Sequence, residues 1–250
     1  MTTAFGRAGR TLGFAAALLL GGCATTPPQA GAPIAPDPLE RLNRITSTMN
    51  DVMDRVVVKP VTKAYVKVTP QPVQDSVHNF FQNLEEPIVI FNDLLQGKFK
   101  QSGADTGRFL ANSTFGVLGL FDVATPMGLQ QHDEDLGQTL AVWGVPSGPY
   151  LVLPLLGPST FRGAFGSYVD GRYNPTSIYE VDDVPTRNGM VILNGIDTRA
   201  GLLNYEDQIK AAFDPYIFIR DAYLQHRQFL IYDGNPPPPQ YPDIDDDDSD

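Results

Sequence analysis

The sequence predicts an all-α protein, built from short amphipathic helices together with one small apolar hairpin or loop. Apolar residues recur at spacings of three and four over long stretches, which places them in one stripe along a helix. Asp-Pro pairs at 37–38 and 214–215 are typical helix starts, because Asp caps the helix and Pro suits its first position. The 250 residues include 23 glycines and 22 prolines, which divide the periodic stretches into short pieces.

The first 22 residues resemble a bacterial lipoprotein signal. Arg7 and Arg10 are their only charges, and the apolar run 11–20 is too short for a membrane span, which needs about 20 residues. Two glycines then precede Cys23, the only cysteine in the chain, as in the box that signal peptidase II recognises. We therefore predict that Cys23 carries covalent lipid, which would hold the protein firmly on a membrane. The alternative is an ordinary secretory signal with a chance cysteine.

Both ends of the mature chain have the composition of unstructured segments. Residues 23–36 are rich in small residues and Pro, and are predicted to be a flexible tether. Residues 235–250 contain four consecutive prolines and six aspartates, which predicts a disordered acidic tail. The folded domain is therefore expected at 37–234. Residue 24 is Ala rather than the Asp that retains many lipoproteins in the inner membrane, so we expect the outer membrane of a Gram-negative bacterium, facing the periplasm.

Charge and cysteine content exclude several classes of protein. The formal net charge of −11 opposes binding of nucleic acid over a broad surface, because phosphates would be repelled. A single cysteine excludes an internal disulfide framework and any multi-cysteine metal site. We expect no nucleic-acid partner, no metal, and no cofactor other than the lipid on Cys23.

Two helices are predicted at the start of the domain. Asp37 caps the first, and Glu40 stands where a capping box needs its carboxylate. A second helix begins at Pro60 and ends before the prolines at 70 and 72. The first helix carries one apolar stripe, formed by Leu39, Leu42, Ile45, Met49, Val52 and Val56.

The rest of the domain continues with helices between breakers. A stripe from 73 to 84 predicts a third helix, and Pro87 is expected to open a separate fourth helix over 88–96. Gly97 is its expected C-terminal cap. Further helices are predicted near 104–113, 134–142, 160–171, 186–203, 205–212 and 215–230.

Two apolar stretches interrupt the helical pattern. Residues 144–158, GVPSGPYLVLPLLGP, are predicted to form a short hairpin or an extended apolar loop, with a buried connector as the alternative. Residues 115–125, FGVLGLFDVAT, are a second apolar stretch interrupted by glycine. Neither is long enough for a transmembrane helix, although amphipathic faces elsewhere allow the chain to lie in a bilayer.

The sequence contains none of the common catalytic or nucleotide-binding motifs. G-x-S-x-G, Walker A, G-x-G-x-x-G and H-E-x-x-H are all absent. The most enzyme-like cluster is His132-Asp133-Glu134-Asp135, but consecutive side chains point in different directions. We expect Asp133 to cap a helix that begins near 134, with Glu134 and Asp135 in its first turn. Metal binding or acid–base chemistry is the alternative.

A local basic stripe is unusual in this acidic chain. Lys59, Lys63 and Lys67 are spaced by four around Pro60, so Lys63 and Lys67 share one face of a helix that begins there. They are candidate contacts for lipid phosphates or for an acidic partner. A solvated face whose long stems cover apolar surface is the alternative.

Seven blocks of sequence, in order over nearly the whole domain, carry a family resemblance. They are DPLERLNR at 37–44, KPVTKAY at 59–65, NFFQNLEEP at 79–87, NDLLQGKFKQ at 92–101, TGRFLANSTFG at 106–116, HDEDLGQTLAVWGVPSGPYLVLPLLGPST at 132–160 and DPYIFIRDAYLQHRQFL at 214–230. These blocks resemble the MlaA family, also called VacJ, of outer-membrane lipoproteins of phospholipid transport.

The resemblance implies a mostly helical ring that lies in the inner half of the outer membrane around an amphipathic channel. Phospholipids misplaced in the outer leaflet would pass through the channel to a soluble periplasmic carrier, bound for an inner-membrane ABC transporter. The resemblance also implies association with a porin trimer and no catalytic residue. We therefore expect a non-enzymatic lipoprotein that maintains lipid asymmetry.

Two other functions stay open at this point. One is an anchored phospholipid hydrolase that uses His132 or His78, and the other is a structural lipoprotein without cargo.

For the transport function, the apolar stretch 144–158 is the expected channel lip or gate. Tyr150, Val152 and Leu155 are its candidate lipid-contacting residues, while Lys63 and Lys67 are candidate phosphate contacts.

Overall fold

A computed structural model describes residues 37–173 and 183–238. The predicted signal 1–22, Cys23, the tether and all but the first four residues of the acidic tail lie outside the described residues. Within the described part the protein is mostly helical and has one two-stranded sheet. The predicted all-α class with a small hairpin is therefore confirmed.

The domain begins with a curved run of helix. Helix α1, Glu40–Met53, passes into a π-helical segment, Asp54–Val58, and from there directly into α2, Lys59–Val68. A π segment bends the helix in which it lies, so α1 and α2 follow a curve instead of one straight axis.

The predicted capping at the start of α1 is wrong. Asp37 accepts a hydrogen bond from the backbone N–H of Leu39 at 3.1 Å, but the helix begins only at Glu40. Glu40 pairs with Arg44 at 2.8 Å and so completes no capping box. The carboxylate of Asp37 is instead drawn into long-range contacts with Asn43 and Tyr216, which the local sequence does not reveal.

Helix α3, Gln71–Gln96, continues through Pro87, so the predicted break there is wrong and the helix, at 26 residues, is not short. Pro87 removes one backbone hydrogen bond, but α3 packs along α4, Phe99–Thr114, and this contact maintains the helix. Gly97 ends α3 in the left-handed conformation, at φ 77°, as predicted.

A 3₁₀ turn, a short helix and the hairpin follow. They are the turn Thr125–Met127, α5 at Leu136–Val142, β1 at Tyr150–Leu153 and β2 at Gly157–Thr160. The two strands pair antiparallel, with Tyr150 opposite Thr160. The hairpin expected within 144–158 is thus present, and its second strand extends two residues further.

The C-terminal part is again helical. It consists of α6 at Phe161–Tyr173, α7 at Val184–Gly201, a 3₁₀ turn at Leu202–Tyr205, α8 at Glu206–Ala211 and α9 at Pro215–Ile231. The Asp-Pro start of α9 is confirmed, because Asp214 accepts a hydrogen bond from the N–H of Tyr216 at 3.0 Å.

The contacts between these elements close into a ring. From α1 they lead through the π segment and α2 to α7, and then through α3, α5 and α9 to the hairpin, whose strand β1 returns to α1. Two ion pairs reinforce the side on which α2 and α7 meet, between Arg199 and Asp54 at 2.7 Å and between Lys59 and Glu206 at 2.5 Å. The expected ring-like arrangement of helices is confirmed.

The distribution of polar and apolar residues is the reverse of that in a typical water-soluble domain. Among the described residues, sixteen polar or charged side chains are buried and only eight apolar ones. The apolar stripe that runs along α1 into the π segment is not covered, with 63% of Ile45 and 70% of Val56 exposed. None of the described helices is both long and apolar enough to cross a membrane. The packed interior of the ring is therefore rich in polar groups, and many large apolar side chains are exposed on its surface.

Candidate functional site: a polar interior and an apolar rim

Arg108 is the centre of the buried network between α3 and α4. Its guanidinium donates to Glu86 at 3.0 Å, to Asp122 at 2.9 Å and to the hydroxyl of Thr125 at 2.8 Å, and the side chain is only 3% exposed. Desolvation opposes ionisation of Asp122, but hydrogen bonds from Thr125 and Arg108 outweigh it and lower its pKa to about 2. The network thus fixes the segment after α4 by charge-assisted bonds.

A second buried network joins two carboxyl groups to a histidine. Burial raises the pKa of Asp93, and the adjacent Asp105 adds to the shift. Asp105 in turn lies 2.8 Å from the ring nitrogen Nδ1 of His132. The contacts of Asp93, Asp105 and His132 therefore join the loop that follows α4 to α3 and α4.

The predicted cap at Asp133 is wrong. Helix α5 begins at Leu136, and Asp135 is its N-cap, accepting from the N–H of Gln138 at 2.8 Å. Asp135 has this role because Arg227 of α9 holds its carboxylate at 2.9 Å. Glu134 turns the other way, onto Lys98 at 2.7 Å. Each member of the four-residue cluster thus has its own direction, and no shared metal site exists among the described residues.

Both histidines of the hydrolase alternative form pairs with aspartate. His132 contacts Asp105, and His78 lies 2.9 Å from Asp197 through Nδ1 and 2.8 Å from Gln82 through Nε2. Within the described chain, neither ring is hydrogen-bonded to a serine, threonine or cysteine side chain. Within the described residues, the two histidines therefore form His–Asp pairs without the hydroxyl or thiol partner of a Ser-His or Cys-His hydrolase.

The hairpin is attached to α1 by two asparagines spaced by one heptad. Asn43 donates to the carbonyl of Tyr150 at 2.9 Å and accepts from the N–H of Val152 at 2.9 Å. Asn50 repeats this arrangement further along, with the carbonyl of Leu153 at 2.9 Å and the N–H of Leu155 at 2.8 Å. Each amide satisfies the free edge of β1 as a neighbouring strand would.

The three candidate gate residues occupy different environments. Tyr150 is 6% exposed and lies against the rings of Tyr216 and Tyr223, whereas Val152 is half-buried. Leu155 is 71% exposed at the turn and has φ 64°, a left-handed conformation that costs an apolar residue about 1–2 kcal/mol. The turn therefore holds a strained residue whose apolar side chain points outwards.

The other apolar stretch, 115–125, has the same strained character. Val117 and Leu118 have φ of 54° and 58°, and 68% of Leu118 is exposed. Gly119 follows at φ 88° against Asn83, where a Cβ would lie 2.4 Å from the Asn83 side chain. Two loops on the ring thus present apolar side chains from left-handed backbone.

The basic stripe is only partly available for ligands. Lys59 is engaged by Glu206 at 2.5 Å, whereas Lys63 and Lys67 are exposed and make no ion pair within the described residues. Their role as phosphate contacts remains a prediction.

An acidic cleft of about 410 Å³ opens between α3, the segment 133–135, α5, α6 and α9. Its walls carry Glu85, Asp133 and Asp170, while Ile88 and Leu230 contribute apolar surface. Glu85 is exposed inside the cleft, yet the surrounding protein desolvates it enough to raise its pKa. A polar cavity with apolar walls has the character needed to accommodate an amphipathic molecule.

Comparison with known proteins decides the family. The model of the family described as MlaA lipoprotein matches residues 35–230. An Escherichia coli (strain K12) protein named "Intermembrane phospholipid transport system lipoprotein MlaA" is 37% identical over 210 residues, which are 82% of each chain. A Haemophilus influenzae protein of the same name is 32% identical over 221 residues, covering 87% of this chain and 88% of that one.

The chain belongs to the MlaA lipoprotein family. A solved structure from "Structural basis for maintenance of bacterial outer membrane lipid asymmetry" superposes on it with a TM-score of 0.69 at 33% identity. The match covers 78% of this chain and 98% of that one, so the MlaA fold comprises nearly the whole described ring.

Sequence reasoning missed the residues that hold this MlaA ring together. Arg108 lies in a polar stretch of the sequence, and no local pattern indicates that its side chain is buried at the centre of a network. Asn43 and Asn50 are polar residues seven apart on an amphipathic helix, and this spacing is only a weak indication that they act together. Their function as the edge partner of β1 depends on closure of the ring.

Proposed function

We propose that this protein is an outer-membrane lipoprotein, anchored through Cys23, that removes phospholipids from the outer leaflet and passes them towards the periplasm, which maintains lipid asymmetry. The observation that carries the proposal is the inverted ring, with polar groups in its packed interior and large apolar side chains exposed on its surface. The names of the relatives support the phospholipid as cargo.

The inverted ring fits a protein embedded in one leaflet. Apolar side chains on its exterior would meet acyl chains, while most buried polar groups pair with one another within the ring, as a hydrocarbon environment demands. A phospholipid in transit needs both kinds of surface. Its headgroup would occupy polar cavities such as the acidic cleft, and its acyl chains would follow the apolar rim.

The hairpin tip is the proposed lip of the passage. Leu155 and Leu156 are 71% and 80% exposed, and the left-handed turn holds them away from the ring. Tyr150 lies deeper, so it would meet lipid only when the hairpin separates from α1. In this proposal Val152 lies between these two positions, and Lys63 and Lys67 of α2 contact headgroup phosphates.

Two protein partners complete the proposal. A soluble periplasmic carrier is needed because acyl chains cannot cross an aqueous compartment unshielded. A porin trimer in the same membrane would pack against the apolar exterior of the ring. We further propose that no catalytic step takes place, since transfer of an intact lipid requires none.

Outer-leaflet phospholipid in cells tests the function directly. Cells that lack this protein should accumulate it, the wild-type chain should clear it, and Cys23→Ser should fail to do so because the protein is not delivered. A photo-crosslinking residue at position 155 should capture phospholipid in these cells, with the exposed but unrelated position 75 as the control. Full clearance by Cys23→Ser, or equal capture at both positions, would contradict the proposal.

The single tryptophan reports on the membrane depth of the ring. Trp143 is 55% exposed, and its indole N–H donates to the carbonyl of Leu95 at 3.1 Å. Lipids brominated on the acyl chains should quench its fluorescence in proteoliposomes, whereas a water-soluble quencher should have little effect. The reverse result would place this face of the ring in water.

A further inference from the structure

The carboxylates of the acidic cleft are incompletely neutralised. Asp135 is paired with Arg227, and Glu134 with Lys98. In contrast, Glu85, Asp133 and Asp170 have no ion-pair partner anywhere in the described chain. The cleft therefore has unsatisfied negative charge on three of its walls.

The surroundings of Asp170 and Glu85 do not compensate for the burial of their carboxylates. Asp170 accepts from the N–H of Leu136 at 2.8 Å, and burial nevertheless raises its pKa. Burial also raises the pKa of Glu85, although the nearby Asn194 side chain acts in the opposite direction. Hydrogen bonds from neutral donors do not offset the desolvation of these carboxylates, so a cation in the cleft would stabilise them.

A fully buried acceptor provides an independent sign of a missing donor. Gln138 is 1% exposed and lines the cleft, and its amide nitrogen donates to the carbonyl of Asp133 at 2.8 Å. That bond fixes the orientation of the amide, because only its nitrogen can donate to a carbonyl. The oxygen Oε1 of Gln138 has no hydrogen-bond partner. A buried acceptor without a donor is costly, and an N–H from a ligand would satisfy it.

The remaining lining of the cleft is mixed, because apolar side chains stand beside Ser167 and His226. Ile88, Val89 and Leu230 line the cleft beside the carboxylates. At about 410 Å³ the space accommodates a headgroup with the first part of its chains. The ligand chemistry that fits is a cationic N–H donor attached to an apolar body.

We propose that the acidic cleft selects phospholipids whose headgroup carries a protonated primary amine, and disfavours headgroups with a net negative charge. The ammonium group would lie between Glu85 and Asp133 and donate to Gln138, while the phosphate stays nearer the opening. This inference rests on the proposed function, because it names the class of phospholipid that the same protein carries.

Competition between two lipids with the same acyl chains tests the selection. Lipidated wild-type protein is incubated in detergent micelles with equal amounts of phosphatidylethanolamine and phosphatidylglycerol, and bound lipid is counted by native mass spectrometry. We expect phosphatidylethanolamine to exceed phosphatidylglycerol by roughly three- to ten-fold, the scale of one or two solvent-accessible charge contacts.

The double variant Glu85→Gln, Asp133→Asn should lower this ratio to about one. Both side chains are exposed in the cleft, so the variant should retain the helical content of the wild type. Asp75→Asn is the matched control, because Asp75 is an exposed carboxylate on the same helix but outside the cleft, and the ratio should not change.

Each outcome bears on one of the two proposals. Equal binding of both lipids by the wild type, or an unchanged ratio in the double variant, would overturn the selection and leave phospholipid transport intact. Failure of the wild type to bind either lipid would overturn the proposed function, and this inference with it.

Discussion

The two apolar loops of the ring expose similar side chains but are held in place by different interactions. Both the 115–125 loop and the hairpin present exposed leucines from left-handed backbone. The 115–125 loop is held by the ion pair between Arg108 and Asp122 in addition to the amide of Asn112, whereas the hairpin is held by the neutral amides of Asn43 and Asn50 alone among these kinds of contact. Removing a neutral amide costs less than removing one partner of a buried charge pair, so the hairpin is the more easily released of the two.

This difference explains why the hairpin is the better candidate for a moving lip. A loop fastened by buried charges can leave its site only by exposing or protonating those charges. A strand edge fastened by two amides can exchange them for water or for lipid headgroups at lower cost.

Replacement of Arg108 should have the largest effect. Arg108→Ala leaves Glu86 and Asp122 without their cation, and we expect a loss of about 3–5 kcal/mol in the free energy of unfolding in detergent micelles. Arg55→Ala is the control, because its pair with Asp51 is exposed and should change stability by less than about 1 kcal/mol. Similar losses in both variants would show that the buried network does not hold the loop.

Replacement of Asn43 should have a smaller and more local effect. Asn43→Ala leaves the carbonyl of Tyr150 and the N–H of Val152 unpaired, so we expect a loss of about 2 kcal/mol. Hydrogen exchange at Val152 should accelerate, while exchange at Ala124 in the other loop stays unchanged. Asn50→Ala should have less effect because its site is more exposed. Equal acceleration in both loops would remove the distinction between them.

The two loops should also differ in their response to pH. Burial raises the pKa of Glu86 to about 7, and Asp105 adds to the shift. The folded state thus binds this proton more tightly than the unfolded chain, and the free energy of unfolding falls as pH rises from about 4.5 to about 7. In Glu86→Gln the difference in stability between pH 5 and pH 8 should shrink by at least about 1 kcal/mol.

The hairpin provides the control for this pH effect. Asn43 and Asn50 do not titrate, so the loss of stability in Asn43→Ala should be the same at pH 5 and pH 8. An effect of Asn43→Ala that depends on pH would mean that the two loops are coupled.

The smallest effect is expected at the hairpin tip. Leu155→Asn should raise the free energy of unfolding by about 0.5 kcal/mol, because asparagine tolerates the left-handed conformation better than leucine. Leu156→Asn removes a similarly exposed side chain without a left-handed backbone, and it should bring no such gain. Loss of stability in Leu155→Asn would show that the tip packs on the ring instead of pointing away from it.

The sequence by itself determined the features that depend on local chemistry. Periodicity located the helices, Asp214 and Gly97 marked a start and an end, and the density of Gly and Pro predicted the hairpin. Helix starts and ends, periodicity and breakers depend on residues that are neighbours along the chain, so they are visible without the fold. The ring was expected only from the resemblance of the sequence blocks to a known family.

Only the tertiary structure decided how these elements are used. Periodicity showed that α1 has an apolar face, but not that this face is left uncovered, since burial depends on what covers a surface. The continuation of α3 through Pro87 and the transfer of the cap to Asp135 depend on packing against α4 and on Arg227 of α9. The hydrogen bonds of Asn43 to a strand more than one hundred residues away exist only because the ring closes.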